Sequence, residues 1–100
     1  MTEQVFKEHI EITRGVCGGK PRIAGHRIKV SDIAIWHERL GMTADEIAST
    51  YQVTLADVHA ALAYYFDHTA EIEAEIREGK RVAEELRALT PSKLRAKLGA

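Results

Sequence analysis

Cysteine is nearly absent from this sequence. Cys17 stands alone, so no internal disulfide can form, and a metal site would need ligands that the chain does not cluster. Cys17 itself reads as a small residue beside a turn. The histidines His9, His26, His37, His59 and His68 are scattered, and no two have the four-residue spacing with a carboxylate that marks a zinc-binding helix. Neither a serine nor Cys17 lies in a nucleophile-elbow motif. Gly15, Gly18, Gly19 and Gly25 suggest a phosphate loop, but Lys20 is followed by Pro21 rather than Ser or Thr and leads into an extended piece. No catalytic set, cofactor or metal is therefore expected. Long apolar runs are missing too. Nothing approaches the roughly 18 apolar residues of a membrane span, and the first residues lack the apolar core of a secretory signal. A cytoplasmic location without membrane contact is expected.

A surplus of basic charge is also lacking. The formal net charge is -1, which argues against a generic polyanion binder and leaves any nucleic-acid contact to local patches. Such patches exist. Arg14, Lys20, Arg22, Arg27 and Lys29 follow one another with no acid between them; Asp67 to Glu85 is mostly acidic; Arg87, Lys93, Arg95 and Lys97 close the chain without an acid. With 100 residues, 45% of them hydrophobic, the chain can bury one modest core. The expected organisation is a unit over 1–68 and a helical arm over 69–100.

Ile10 and Ile12, two apart, fit a short strand with one buried face. A turn follows from Gly15 to Gly19. Arg22-Ile23 and His26 to Val30 then read as two extended pieces around Ala24-Gly25, with Ile28 and Val30 on one side and Arg27 and Lys29 on the other. Such short strands cannot bury a face alone in water, so this part needs a partner, expected to be a second copy and to make a homodimer.

Ser31 is expected to cap the first helix, with Asp32 in its first turn, an Ile33, Trp36, Leu40 stripe, and Gly41 as its end. Thr43 with Glu46, and Thr54 with Asp57, form capping-box pairs for two further helices. The second carries Ile47, Ala48 and Tyr51, and the third a stripe of Leu55, Val58, Leu62, Tyr65 and Phe66. Two capped helices joined through Gln52-Val53 have the layout of a helix-turn-helix, although a plain antiparallel pair shows the same periodicity. The chemistry fits DNA less well. Thr54, Leu55, Ala56, Asp57, His59 and Ala60 at the start of the third helix include no Arg or Lys, whereas base edges are read mostly by Arg, Lys, Asn and Gln. Phosphate contact would fall on Lys20, Arg22, His26, Arg27 and Lys29, supplemented by Thr54 and His59.

From Thr69 the pattern is Glu-rich, with a thin apolar stripe of Ile72, Ile76, Val82, Leu86, Leu89 and, past Pro91, Leu94. Gly79 interrupts it at a cost of roughly 1 kcal/mol relative to alanine, and Thr90 is placed to cap a last short helix. Either this is a frayed terminal helix or an arm that orders against another protein's groove.

Three ordered motifs, Gly18-Gly19-Lys20-Pro21-Arg22-Ile23-Ala24-Gly25-His26-Arg27-Ile28-Lys29-Val30, Gly41-Met42-Thr43-Ala44-Asp45-Glu46-Ile47 and Leu55 to Tyr65, resemble domain-of-unknown-function family 433, whose members are described as VapB-type antitoxins. A Gly-Thr-Arg is usual where this chain has Gly25-His26-Arg27, which removes a hydroxyl. The resemblance implies a helix-turn-helix domain whose N-terminal strand region assembles dimers. It further implies a C-terminal arm that masks a PIN-like ribonuclease toxin and a dimer that represses its own operator DNA. The expected fold class is mostly α, a three-helix core with a short N-terminal strand region and a helical arm.

Overall fold

The computed structural model describes residues 9–89; the expectations for Thr90, Pro91 and Leu94 lie outside the described residues. Strand β1 (Ile10–Glu11) pairs antiparallel with β2 (Arg22–Ile23), Ile10 opposite Ile23 and Glu11 opposite Arg22. Between them runs a 3-10 turn, Cys17–Gly19. Beyond β2 the chain folds straight back: the His26 N–H donates to the Ile23 carbonyl at 3.0 Å, and the Ile23 N–H to the Ile28 carbonyl at 2.8 Å. The tight hairpin read around Ala24-Gly25 is therefore present, and Gly25 takes the positive φ of +78° that its turn requires. Ile28 is half-buried, Val30 buried and Arg27 exposed.

Two details of this region differ from expectation. Ile12 is 59% exposed while Ile10 is buried. The strand is only two residues long, because the chain turns at once, closing the Val16 N–H onto the Thr13 carbonyl. The short strands also find their partner within the chain. β2 is bonded along both edges, to β1 on one side and to Ile28 and Lys29 on the other, and Ile10, Ile23 and Val30 join the common core.

Helix α1 (Val30–Ala34) runs on into a π-helical turn, Ile35–Arg39. Its cap is Lys29, not Ser31: the Asp32 carboxylate accepts the Lys29 N–H at 3.0 Å. The hairpin sets this start point, because the Val30 N–H is already bonded to the Pro21 carbonyl at 3.0 Å. Ser31 is consequently buried inside the first turn. The π turn, closed by the Leu40 N–H on the Ile35 carbonyl, adds one residue to the helical repeat. That is why Leu40 leaves the Ile33 and Trp36 stripe and is 65% exposed. Gly41, at φ +71°, ends the element as expected.

Helices α2 (Ala44–Tyr51) and α3 (Leu55–Asp67) have the expected capping boxes. The Thr43 hydroxyl accepts the Glu46 N–H at 3.1 Å, and the Thr54 hydroxyl accepts the Asp57 N–H at 3.0 Å. Each satisfies a helix N–H that would otherwise lack a partner, typically contributing about 1 kcal/mol. The turn between them places Gln52 in the left-handed region at φ +56°, a conformation that favours glycine. Trp36 stacks flat on Tyr51 with ring centroids 3.7 Å apart, tying the π turn to α2. On α3 the buried stripe is Val58, Ala61, Leu62 and Tyr65; Leu55 and Phe66, expected on it, are 42% and 59% exposed. Docking of α3 on both α1 and α2 selects this face, the one that carries Ala61.

Helix α4 (Thr69–Leu89) is one continuous helix through Gly79. Ile72 is fully buried among Ile23, Ile33, Ile47, Val30 and Val58, the side chains that close the core. Burying each contributes roughly 1.5–3 kcal/mol. From Lys80 to Leu89 every residue is exposed. The molecule is mostly helical, a short antiparallel sheet laid against four helices with the last one projecting, and its long dimension reaches 53 Å against 28 and 23 Å across.

Candidate functional site

The hairpin gathers the basic residues but does not leave them equal. Arg22 is 7% exposed. Its guanidinium donates to the His26 carbonyl at 3.1 Å and to the Thr13 hydroxyl at 3.0 Å, and pairs with the Glu11 carboxylate at 2.9 Å. Pairing within β1–β2 puts Glu11 directly opposite it. Arg22, expected among the phosphate contacts, therefore serves as an internal brace and is out of reach of a ligand. Arg14, His26 and Arg27 lie exposed on the rim, with Lys20 and Lys29 half-buried beside them. The Glu78 carboxyl is held below its ordinary range chiefly by its hydrogen bond with Arg81 and in smaller part by the charge of Lys20.

The start of α3, where a DNA-reading helix would present its residues, is tied to the strand region. The His9 ring lies 2.8 Å from the Asp57 carboxylate. Burial alone would raise the Asp57 pKa; hydrogen bonds from His9 and Thr54 outweigh it and hold the carboxyl below its ordinary value. A charged carboxylate thus faces the helix N-terminus and complements the dipole there. Thr54 and His59 are exposed on either side. The face remains acidic, as its composition indicates.

The arm is rooted by a three-element contact that local sequence gives no sign of. Glu73 on α4 accepts from the Tyr65 hydroxyl of α3 at 2.5 Å and pairs with Arg39 of the π turn at 2.5 Å. The hydrogen bond to Glu73, aided by burial, pushes the Tyr65 pKa up to about 12. The same bond, followed by the charge of Arg39, holds the Glu73 carboxyl low. Arg39 and Glu73 are separated by 34 positions, beyond the reach of any helical spacing rule.

Of the residues read as partner-binding, Ile72 is in the core and Ile76 is packed against it, while Val82, Leu86 and Leu89 are 40%, 61% and 80% exposed. Leu94 lies outside the described residues. Between α1 and α4 opens a cleft of about 540 Å³, lined by Ile35, Ile76 and Gly79 with Lys29, Arg39 and Lys80 at its edges. Among the described residues, no helix is long and apolar enough to cross a membrane.

These features define a class: a small helical module in which a strand-braced helix-turn-helix pair supports a projecting amphipathic helix. The chain belongs to the DUF433 family, described as a protein of unknown function, whose model matches residues 10–65. That span runs from β1 to within two residues of the end of α3, so α4 lies beyond it. The fold is similar to the crystal structure of a DUF433 member protein from Anabaena variabilis, at 34% identity and a TM-score of 0.66, over 76% of this chain and 75% of that one. No curated protein matches the sequence.

Proposed function

We infer that this protein is an antitoxin-like, non-catalytic binding protein, dimeric, whose arm α4 holds and masks a PIN-like ribonuclease toxin. The observation that carries the reading is the position of Val82, Leu86 and Leu89, exposed on one helix whose base is fixed in the core by Ile72 and Glu73. A pre-formed amphipathic helix is what a groove-binding partner recognises, through anchors three and four residues apart. Fixing its base limits the ordering cost on binding. The test is co-expression of the full chain with the product of the adjacent gene. Co-purification of a PIN-like nuclease, lost in a Val82→Glu/Leu89→Glu variant, supports the reading. An undiminished complex with that variant contradicts it.

A second reading, contact with operator DNA, is favoured by one observation. Arg14 and Arg27 are exposed and form no ion pair among the described residues, and Lys20 and Lys29 lie beside them. With Arg22 withdrawn and Asp57 at the start of α3, such contact would be to phosphates rather than bases. In a mobility-shift assay with the upstream DNA, a Lys20→Ala/Arg27→Ala/Lys29→Ala variant should weaken binding across sequences and flatten its salt dependence. No shift at low salt contradicts this reading.

A further inference from the structure

Two residues of α4 are disfavoured where they stand. Gly79 lies mid-helix, where alanine would hold the helix better, yet nothing comes within 4 Å of where its Cβ would be. No close approach by another element of the chain therefore requires a glycine there. One turn earlier, Glu75 makes no hydrogen bond or ion pair among the described residues, and its Oε2 is shielded from solvent. A shielded carboxylate oxygen without a donor is unfavourable until a donor reaches it. Both residues line the same cleft between α1 and α4, about 540 Å³ in volume. Clefts of that size between helices take small organic molecules.

The rest of the wall indicates what such a molecule carries. Ile35 and Ile76 supply two aliphatic surfaces, suited to the flat side of a ring. Lys29 reaches the rim from the cap of α1, and Lys80 from α4. Neither forms an ion pair among the described residues, whereas Arg39, also on the rim, is taken up by Glu73. One oxygen of Asp32 is likewise occupied, by the Lys29 N–H. Two unpaired ammonium groups favour an anion, and phosphate is a group that lysine holds as a point charge. Ser31 lines the cleft as well, at 4% exposure, and its hydroxyl has no hydrogen-bond partner among the described residues. With Glu75 it offers acceptors for hydroxyl groups. A carboxylate that accepts from a ribose hydroxyl is a recurrent way of holding a nucleotide.

We propose that this cleft binds a ribonucleoside monophosphate, free or at the end of an RNA chain. The phosphate sits between Lys29 and Lys80, the ribose hydroxyls meet Glu75 and Ser31, and the base lies on Ile35 and Ile76. Glycine at position 79 keeps that space open, since a side chain there would enter it. The site is separate from the Val82, Leu86 and Leu89 face and does not depend on the nuclease reading. Lys29 is shared with the DNA reading, so Glu75, Gly79 and Lys80 carry the test.

The test is a titration of the isotope-labelled full chain, followed by its amide shifts, with AMP, UMP, dAMP, adenosine, inorganic phosphate and a short oligouridylate carrying a terminal phosphate. AMP and UMP at millimolar concentration should shift the amides of Ser31, Ile35, Ile76 and Gly79. Adenosine, phosphate and dAMP should each bind about tenfold more weakly than AMP or worse, because each lacks a contact to a charged group or the apolar body. Lys80→Ala should weaken AMP about tenfold and leave adenosine unchanged. Glu75→Ala should erase the preference for AMP over dAMP, and Gly79→Leu should abolish AMP binding, with the helical circular dichroism of all three variants kept. An oligouridylate that binds more tightly than UMP assigns the end of an RNA chain, and one that binds more weakly assigns the free nucleotide. No shift with millimolar AMP, equal shifts with phosphate alone (an adventitious ion only), or AMP binding that Lys80→Ala and Gly79→Leu both leave intact overturns the proposal.

Discussion

The hairpin and the arm treat their side chains in opposite ways. In the hairpin, Arg22 is drawn inside, where Glu11, Thr13 and the His26 carbonyl take up its guanidinium. In the arm, Val82 and Leu89 are carried outside on a helix that needs none of them to hold its place. A basic cluster in sequence overstates the charge a surface offers, because one strand pairing can use part of it internally. A thin apolar stripe likewise understates what a helix can present, because a single well-buried turn fixes the rest.

Substitutions can break that comparison. On α4, Ile72→Ala removes a fully buried side chain and should cost about 2–5 kcal/mol in urea unfolding. Leu89→Ala should stay within about 0.5 kcal/mol. Similar losses at both would mean that the projecting half also packs on its own core. On the hairpin, Arg22→Ala should cost about 1–3 kcal/mol by removing a buried side chain together with its bonds to the His26 carbonyl, Thr13 and Glu11, against about 0.5 kcal/mol or less for Arg27→Ala. Equal effects would return Arg22 to the surface set.

The root of the arm is open to an alkaline titration. The Tyr65 pKa is raised from 10.0 to about 12 in the folded protein. Its contribution to stability is therefore complete below the unfolded value of 10.0 and is lost as pH rises through about 12. Tyr65→Phe should flatten that part of the stability profile and remove the latest-titrating tyrosinate signal, leaving that of Tyr64, which burial and the charges of Glu71 and Glu75 also raise. A smaller change touches neither region and serves as a control. Gln52→Gly relieves a left-handed residue in the α2–α3 turn and should stabilise by about 0.5–1 kcal/mol, read as a rise in Tm with the helical circular dichroism unchanged.

Both capping boxes were legible because their signal is local: Thr43 meets Glu46, and Thr54 meets Asp57, within one turn. The hairpin was legible from Gly25 and the alternation of Ile28, Lys29 and Val30. Burial of Arg22 was not, since it depends on β1 bringing Glu11 from eleven positions away. The cap at Lys29 in place of Ser31 follows from a bond to Pro21 that no helical rule contains. Exposure of Leu55, Phe66 and Leu40 depended on which face of α3 is docked and on one π turn, both decided by packing. Within the candidate site, the Val82, Leu86 and Leu89 stripe could be read from spacing alone, whereas the Tyr65, Glu73 and Arg39 contact that aims it could not.

The central claim of the proposed function is that nuclease binding belongs to the arm and not to the hairpin. Calorimetric titration with the product of the adjacent gene, proposed above to be a PIN-like ribonuclease, tests it most directly, using the wild type, Val82→Glu/Leu89→Glu, and Lys20→Ala/Arg27→Ala. Loss of affinity by about a hundredfold or more in the arm variant, with the hairpin variant close to wild type, is the expected result. A hairpin variant that loses binding while the arm variant keeps it would contradict the account.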